Sequence, residues 1–254
     1  GSYVKAINFG ASFAKGDYIL FAQCDDFAEA NQIELLLKAF ESNPSVGVVF
    51  SKSNLVDEKG KTFADDFYGR EKSFKEAVKE NGLIKADKMK EFLSFSCVIP
   101  NLSAALIKHE LFKGINGLSD QYLVVADWEF WLDLTEKTDF YFVSEPLNYF
   151  RQHATTIRSS IKMKTQIVEI YKMFYNHISK NRLEPIQEHK IRMGAGAVWF
   201  SYFVENKRAW FQCFITVYPA IKKIEKRGLY YLSLGAKKHV LEYLFVKTNK
   251  NKLV

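Results

Sequence analysis

The chain has 254 residues, 48% of them hydrophobic and 15% aromatic, enough to bury a sizeable core in one or two domains. Its three cysteines, Cys24, Cys97 and Cys213, are odd in number and form no CxxC pair, which reads as reduced thiols of a cytosolic protein rather than a disulfide framework. The formal net charge of +7 points to an anionic partner (nucleic acid, a membrane surface or a phosphate-rich substrate) or to solubility alone, and no RNP, zinc or helix-turn-helix signature supports nucleic acid.

The opening GSYVKAINFG has no charged-then-apolar leader, so no signal peptide is expected. KAINFGASFA (5–14) has helical spacing and is followed by Gly16, a suitable breaker. YILFAQ (18–23) is a short apolar run, expected as a strand buried on both faces. NQIELLLKAFESNP (31–44) puts Ile33, Leu36, Leu37 and Phe40 on one helical face and stops at Asn43-Pro44. VGVVFS (46–51) is a second buried strand and DEKGK (57–61) a turn, so strand, helix and strand read as a βαβ unit of a parallel sheet.

Residues 62–92 read as polar and helical without strong strands. A strand-like segment and a short helix follow over 95–112. ADWEFWLDLTEK (126–137) is a helix with Phe130, Trp131 and Leu134 on its apolar side, and FYFVSEPLNYFRQH (140–153) returns as an extended segment. Beyond about residue 160 the pattern is helical with large aromatic faces. The apolar stretches 193–204 and 209–221 are shorter than the roughly 20 residues that span a bilayer, and they read as two arms of a helical hairpin.

Three constellations carry chemistry. Asp25 and Asp26 stand at the carboxyl end of the first strand, where open α/β sheets bind ligands. A carboxylate there can hold Mg²⁺ or Mn²⁺ against phosphate oxygens, whereas Asp26 can equally be a helix cap. Asp127 opens a helix beside Trp128 and Trp131, a setting that suits a general base over a sugar platform or, more simply, a cap. Tyr149, Arg151 and His153 alternate, so an extended chain points all three to one side, toward a diphosphate or metal or toward ordinary surface pairings.

In this order the segments GDYILFAQCDD (16–26, preceded by Ala14), IELLLKAFESNPSVGVVFS, LVDEKG, ADWEFWL and EPLNYFRQH resemble the inverting family-2 glycosyltransferases of the GT-A fold, over about residues 4–158, most closely the bacterial enzymes that build surface polysaccharides. The resemblance implies an α/β fold: a Rossmann-like GT-A domain with a mixed, mostly parallel sheet over 1–158, followed by a C-terminal helical region over 159–254. It implies a hexosyltransferase-like enzyme that moves a sugar from a nucleotide-sugar donor to a glycan or lipid-linked acceptor. Its cofactor would be Mn²⁺ or Mg²⁺.

By position, the family's Asp-x-Asp-Asp becomes Gln23, Asp25 and Asp26, making Asp25 the implied metal ligand with His153, and Gln23 and Asp26 donor contacts. The family's Glu-Asp pair becomes Ala126-Asp127, so Asp127 is the implied catalytic base. Arg151 and His153 match its Arg-x-His. Asn8 matches the asparagine of its Ala-Arg-Asn segment as a donor contact, with Ile7 in place of the arginine. Asn101, Ser103 and Trp128 are expected on the acceptor side. Only 24 residues precede Asp25, where the family has three βα units, so about half of the donor site is expected to lie outside this sequence, to come from another polypeptide, or to be lost. The alternative is a catalytically degenerate module of the same fold that binds glycan or a partner enzyme.

The lysine-rich stretch 220–254, with Tyr230, Tyr231, Leu232, Tyr243, Leu244 and Phe245, reads as a basic helix with an aromatic face. An anionic membrane surface is its candidate partner, which would place a cytoplasmic enzyme peripherally on the inner face of the membrane.

Overall fold

The computed structural model describes residues 2–66, 72–152, 163–205 and 210–250, with the side chains of residues 72, 205, 210 and 241–250 excepted. The chain forms two compact units, Gly1–Ser160 and Ile161–Val254.

The first unit runs α1 (Tyr3–Ser12), β1 (Tyr18–Leu20), β2 (Phe27–Ala28), α2 (Gln32–Ser42), β3 (Val46–Val56), β4 (Thr62–Asp65), α3 (Lys72–Ala77), β5 (Gly82–Ile84), α4 (Ala86–Leu93), β6 (Ala105–Lys108), α5 (His109–Gly114), α6 (Ala126–Leu134) and β7 (Asp139–Arg151). The strands make one mixed sheet ordered β1-β6-β3-β7-β2, with β4 beside β3 and β5 beside β7. Its spine is the long parallel pair β3–β7, in which Phe50 lies opposite Phe142 and Val56 opposite Arg151. β3 is buried over most of its length, as a central strand of a helix-covered sheet requires, whereas β7 is buried at Phe140, Phe142, Val143, Leu147 and Asn148 and exposed at Glu145 and Pro146.

Alternation sorts their side chains between two cores. On one face Val46 and Val49 of β3 and Val143 and Leu147 of β7 pack against Leu36, Ala39 and Phe40 of α2. On the other, the Phe50 and Phe142 rings meet Phe74 of α3, which stands edge-on to Phe92 of α4 at 5.1 Å. Burying a single Phe or Leu is worth about 1.5–3 kcal/mol, so these two layers hold the sheet rigid beneath its loops.

The sheet is mixed but not mostly parallel as expected: among the described residues five of the six strand pairings are antiparallel, and β3–β7 is the parallel one, because β2, β4, β5 and β6 all run against that spine. Three local expectations are corrected as well. The βαβ unit is interrupted: β6 inserts between β1 and β3 and pairs antiparallel with each, so those two strands share a direction without being neighbours. Residues 62–92 hold strands β4 and β5 as well as helices; both strands are short and partly exposed, so neither shows an apolar pattern. Ile33 is exposed, because α2 meets the sheet along Leu36, Ala39 and Phe40.

The second unit contains α7 (Met163–Asn181), α8 (Pro185–Glu205), α9 (Trp210–Ile224) and α10 (Gly228–Lys250). The two apolar stretches expected as a hairpin fall in α8 and α9, but α8 packs chiefly on α10 and α9 on α7. Glycine decides the first pairing. A Cβ at Gly196 would lie 2.0 Å from the Tyr231 carbonyl oxygen, and one at Gly235 would lie 2.3 Å from the Ala197 nitrogen, so the two backbones touch. Trp199 fills the centre, edge-on to Tyr171 of α7 and stacked on Phe214 of α9. Among the described residues no helix is long and apolar enough to cross a membrane.

Candidate functional site

After β1 the chain turns at Gln23, whose carbonyl accepts the Asp26 N–H at 3.1 Å, and enters β2, which pairs with Asn148 and Tyr149 of β7. This fixes Asp25 and Asp26 against the end of the sheet's spine. The alternative that Asp26 caps α2 is excluded, since that helix starts six residues later with Asn31 at its N-cap. Asp26 is instead the centre of a polar layer. Its Oδ1 accepts the Arg151 N–H at 3.0 Å, and its Oδ2 accepts Asn101 Nδ2 at 2.5 Å and the Ser103 hydroxyl at 2.6 Å. Gln23 Oε1 lies 3.2 Å from the same hydroxyl.

Behind them Asn148 Nδ2 donates to Asn101 Oδ1 at 3.1 Å and to Ser53 Oγ at 2.9 Å, while Gln32 Nε2 donates to the Ser103 carbonyl at 3.0 Å. Ser53 and Asn148 are completely buried, and Asn101 and Ser103 are 4% exposed. A low-dielectric setting strengthens each of these bonds and makes the loss of any one costly. Asn101 and Ser103, expected as acceptor contacts, are placed here beneath the strand end, where they hold Asp26.

Burial is the largest influence on the Asp26 carboxyl and raises its pKa above the ordinary 3.8; the Asp25 charge adds to this, while the hydrogen bonds from Ser103, Arg151 and Asn101 oppose it. The folded protein therefore holds this proton more tightly than the unfolded chain. Between 3.8 and the raised value, this group's contribution to stability falls as pH rises. Asp26→Asn is expected to lose about 1–3 kcal/mol at pH 7, because its amide NH₂ must face the Arg151 N–H or the Asn101 amide, both donors. The deficit should widen as the pH falls through that window, since only the aspartate gains on protonation. Urea midpoints measured from pH 7 to pH 4 check this, and a variant as stable as the parent at pH 7 would refute the central role of Asp26.

Arg151, expected at the diphosphate, directs its guanidinium to backbone: Nε donates to the Asp25 carbonyl at 2.8 Å, and Nη1 to the carbonyls of Asp57 and Glu58 at 2.9 and 3.0 Å. It thereby ties the strand-end loop to the turn after β3. That turn is itself closed by Asp57 Oδ1, which accepts the Lys59 and Lys61 N–H groups, and by Gly60 at a φ of 82°. The Phe27 ring stacks on Tyr149 at 4.4 Å and lies 5.5 Å from the Arg151 guanidinium, so Tyr149 and Arg151 share a side of β7. His153 lies outside the described residues.

Asp127 sits in the first turn of α6, half-buried, its Oδ1 accepting the Trp128 N–H at 2.8 Å. The N-cap is Val125, without a side-chain bond. Negative charge is favourable at this end of a helix. The Trp128 indole is buried and donates to the Leu93 carbonyl at 2.8 Å, so it fastens α6 to α4. Asn8, matched to the donor side, clamps the Leu118 peptide from both sides, Nδ2 to its carbonyl at 2.7 Å and Oδ1 from its N–H at 3.0 Å. Gly117 permits this at a φ of 70°, since a Cβ there would lie 2.5 Å from Asn8 Oδ1.

The structure thus brings Gln23, Asp25, Asp26, Asn101, Ser103 and Arg151 together, and it places Asp127, Trp128 and Asn8 on separate contacts. Among the described residues no three His, Cys, Asp or Glu side chains form a metal cage. A Mg²⁺ or Mn²⁺ ion that bridges substrate phosphates takes only one or two protein carboxylates. Asp25, exposed at the tip of the loop and mounted on the rigid Asp26 layer, offers such an oxygen donor, so the residues fit that kind of ion.

The family described as glycosyltransferase like family 2 matches residues 2–184. The chain belongs to this family. Its similarity extends to an uncharacterized glycosyltransferase of Haemophilus influenzae, 30% identical over 162 residues, a match covering 62% of this chain and 49% of that protein. The chain thus spans about half the length of this curated relative. The fold is similar to that of residues 1–349 of S. aureus TarS, with a TM-score of 0.56 at 16% identity, covering 90% of this chain and 62% of that one. The family likeness agrees with the mixed α/β sheet and the GT-A type of fold.

Sequence reasoning missed Ser53, Gln32 and Asn148, which support the site from below. The signal was present as polar residues inside otherwise apolar strands, VGVVFSKSN and PLNYF, where a buried amide or hydroxyl demands a partner.

Proposed function

We propose that the full-length protein is an inverting glycosyltransferase that moves a sugar from a nucleotide-sugar donor to a hydroxyl of a glycan or lipid-linked acceptor in bacterial surface polysaccharide synthesis. The observation that carries this reading is the exposed Asp25 on its half-buried Asp26 support, within a chain whose residues 2–184 match the family. Asp127 takes the acceptor proton on a carboxylate oxygen, the freed oxygen attacks the anomeric carbon, and the bond to the nucleoside diphosphate breaks in the same displacement. One displacement inverts the anomeric centre. Asp25 would hold the divalent ion, which supplies charge neutralisation for the diphosphate. Arg151 keeps the Asp25 loop in register with the Asp57–Glu58 turn.

The test is release of nucleoside diphosphate by the full-length protein from a panel of nucleotide sugars with Mn²⁺ or Mg²⁺, followed by the anomeric configuration of the glycoside product. Inversion supports the reading. Retention overturns the mechanism, and no release from any donor favours a binding module of the same fold.

A further inference from the structure

The helical unit has one end built unlike the rest. Arg192, near the start of α8, bonds to Tyr175 near the end of α7 and to Glu225 just beyond α9. Its guanidinium lies 6.0 Å from the ring of Tyr231 at the start of α10, and the His189 ring lies 5.7 Å from that same ring. The end of α7, the start of α8, the end of α9 and the start of α10 therefore meet here.

The run IKKIEKRGLYY (221–231) looks mixed in charge, but its single acid is turned inward: Glu225 is buried against Arg192 and accepts the Arg227 N–H at 2.7 Å. Outward, Lys180, Arg182, Lys222, Lys223, Lys226 and Arg227 are all exposed, and among the described residues of these turns Glu184 is the exposed carboxylate. Cations in the last turn of α9 suit the helix dipole, but Lys226 and Arg227 lie past it. Beside them Ile186, Leu229 and Tyr230 expose apolar side chains to 64%, 45% and 51%.

The expected aromatic face of the tail is split. Tyr231 packs inward and Tyr230 outward, and the side chains of Tyr243, Leu244 and Phe245 lie outside the described residues. Nucleic acid would find the cations but has no use for an exposed isoleucine and leucine among them. A lipid surface uses both, with the apolar residues at the headgroup boundary and the cations facing anionic lipid. We propose that this end of the helical unit, centred on Lys222, Lys223, Lys226, Arg227, Leu229 and Tyr230, docks the protein on an anionic membrane surface. The proposal stands independently of the glycosyl-transfer reading, since neither its residues nor its test involve the sugar site.

Flotation of the full chain with vesicles of phosphatidylcholine alone or with added phosphatidylglycerol tests it. Binding should need the anionic lipid and weaken as salt rises. Each cation near such a surface is worth about fivefold, so Lys222→Ser with Lys223→Ser should weaken vesicle binding by about 25-fold. Leu229→Ser with Tyr230→Ser should weaken it by about tenfold while leaving binding to a double-stranded oligonucleotide, whose paired bases are not free to stack on a tyrosine, unchanged. All four positions are exposed, and the fold of each variant is to be checked by circular dichroism. Equal flotation with neutral vesicles, or none with anionic ones at low salt, overturns the proposal whatever the variants do. Vesicle binding indifferent to Leu229 and Tyr230, with the oligonucleotide held as tightly, overturns it in favour of a general polyanion site.

Discussion

Full-length protein carrying Asp127→Asn is expected to transfer sugar about 10²–10⁴-fold more slowly than the parent, with its thermal midpoint and donor affinity nearly unchanged. Asparagine keeps the oxygen that accepts the Trp128 N–H, so the first turn of α6 retains its hydrogen bond. The change removes one negative charge from a helix N-terminus, worth about 0.3–1 kcal/mol at most. Trp128 and Trp131 stay buried and keep α6 in place. What the variant loses is a group able to take a proton. The prediction is checked by initial rates at saturating donor together with a melting curve. A variant retaining more than about a tenth of parental turnover would remove Asp127 from the reaction, and a large fall in melting temperature would mean that the residue serves the helix start.

The fold was legible where burial writes itself into composition. VGVVFS and the segment from Phe140 announce themselves as apolar runs, and they prove to be the paired spine of the sheet. The strands that escaped notice are short and owe their pairing to partners remote in the chain. β2 is Phe27–Ala28, both exposed, and it exists because Glu29 N–H and the Phe27 ring find β7. β5 is three residues added to the edge of β7. Nothing local distinguishes such segments from loops, because what makes them strands is a partner remote in the chain.

The candidate site divides in the same way. The carboxylates at the end of an apolar run were visible, as was the alternation that puts Tyr149 and Arg151 on one side of β7. Their roles were not, because each depends on partners brought from far away. Asp26 meets Asn101 and Ser103 from 75 and 77 residues on, and Arg151 from 125 residues on. Asn101 and Ser103 read as turn residues facing a substrate until the sheet closes over them. Arg151 reads as a phosphate ligand, and its structural task, three carbonyls held on Nε and Nη1, shows only once the fold is formed. A motif names which residue types stand together, whereas burial decides which of them face the solvent and which hold the others still.

That division separates two neighbouring aspartates by experiment. Asp25→Ala is expected to lower turnover by about 10²-fold or more and to abolish its dependence on Mn²⁺ or Mg²⁺ with it, since neutralising phosphate charge is worth several kcal/mol. Stability should stay within about 0.5 kcal/mol of the parent, because the Asp25 side chain is exposed and the carbonyl that Arg151 holds is backbone, which alanine retains. Asp26→Asn, by contrast, disturbs a buried layer and shows first as lost stability. Two measurements distinguish the pair: urea midpoints for both variants, and Mn²⁺ affinity by electron paramagnetic resonance with a nucleoside diphosphate present. Weakened Mn²⁺ binding in the Asp25 variant at unchanged stability assigns the exposed carboxylate to the ion and the half-buried one to its support. Full activity of the parent in EDTA, or unchanged activity of the Asp25 variant, would mean that the strand-end carboxylate serves the reaction without a metal or not at all.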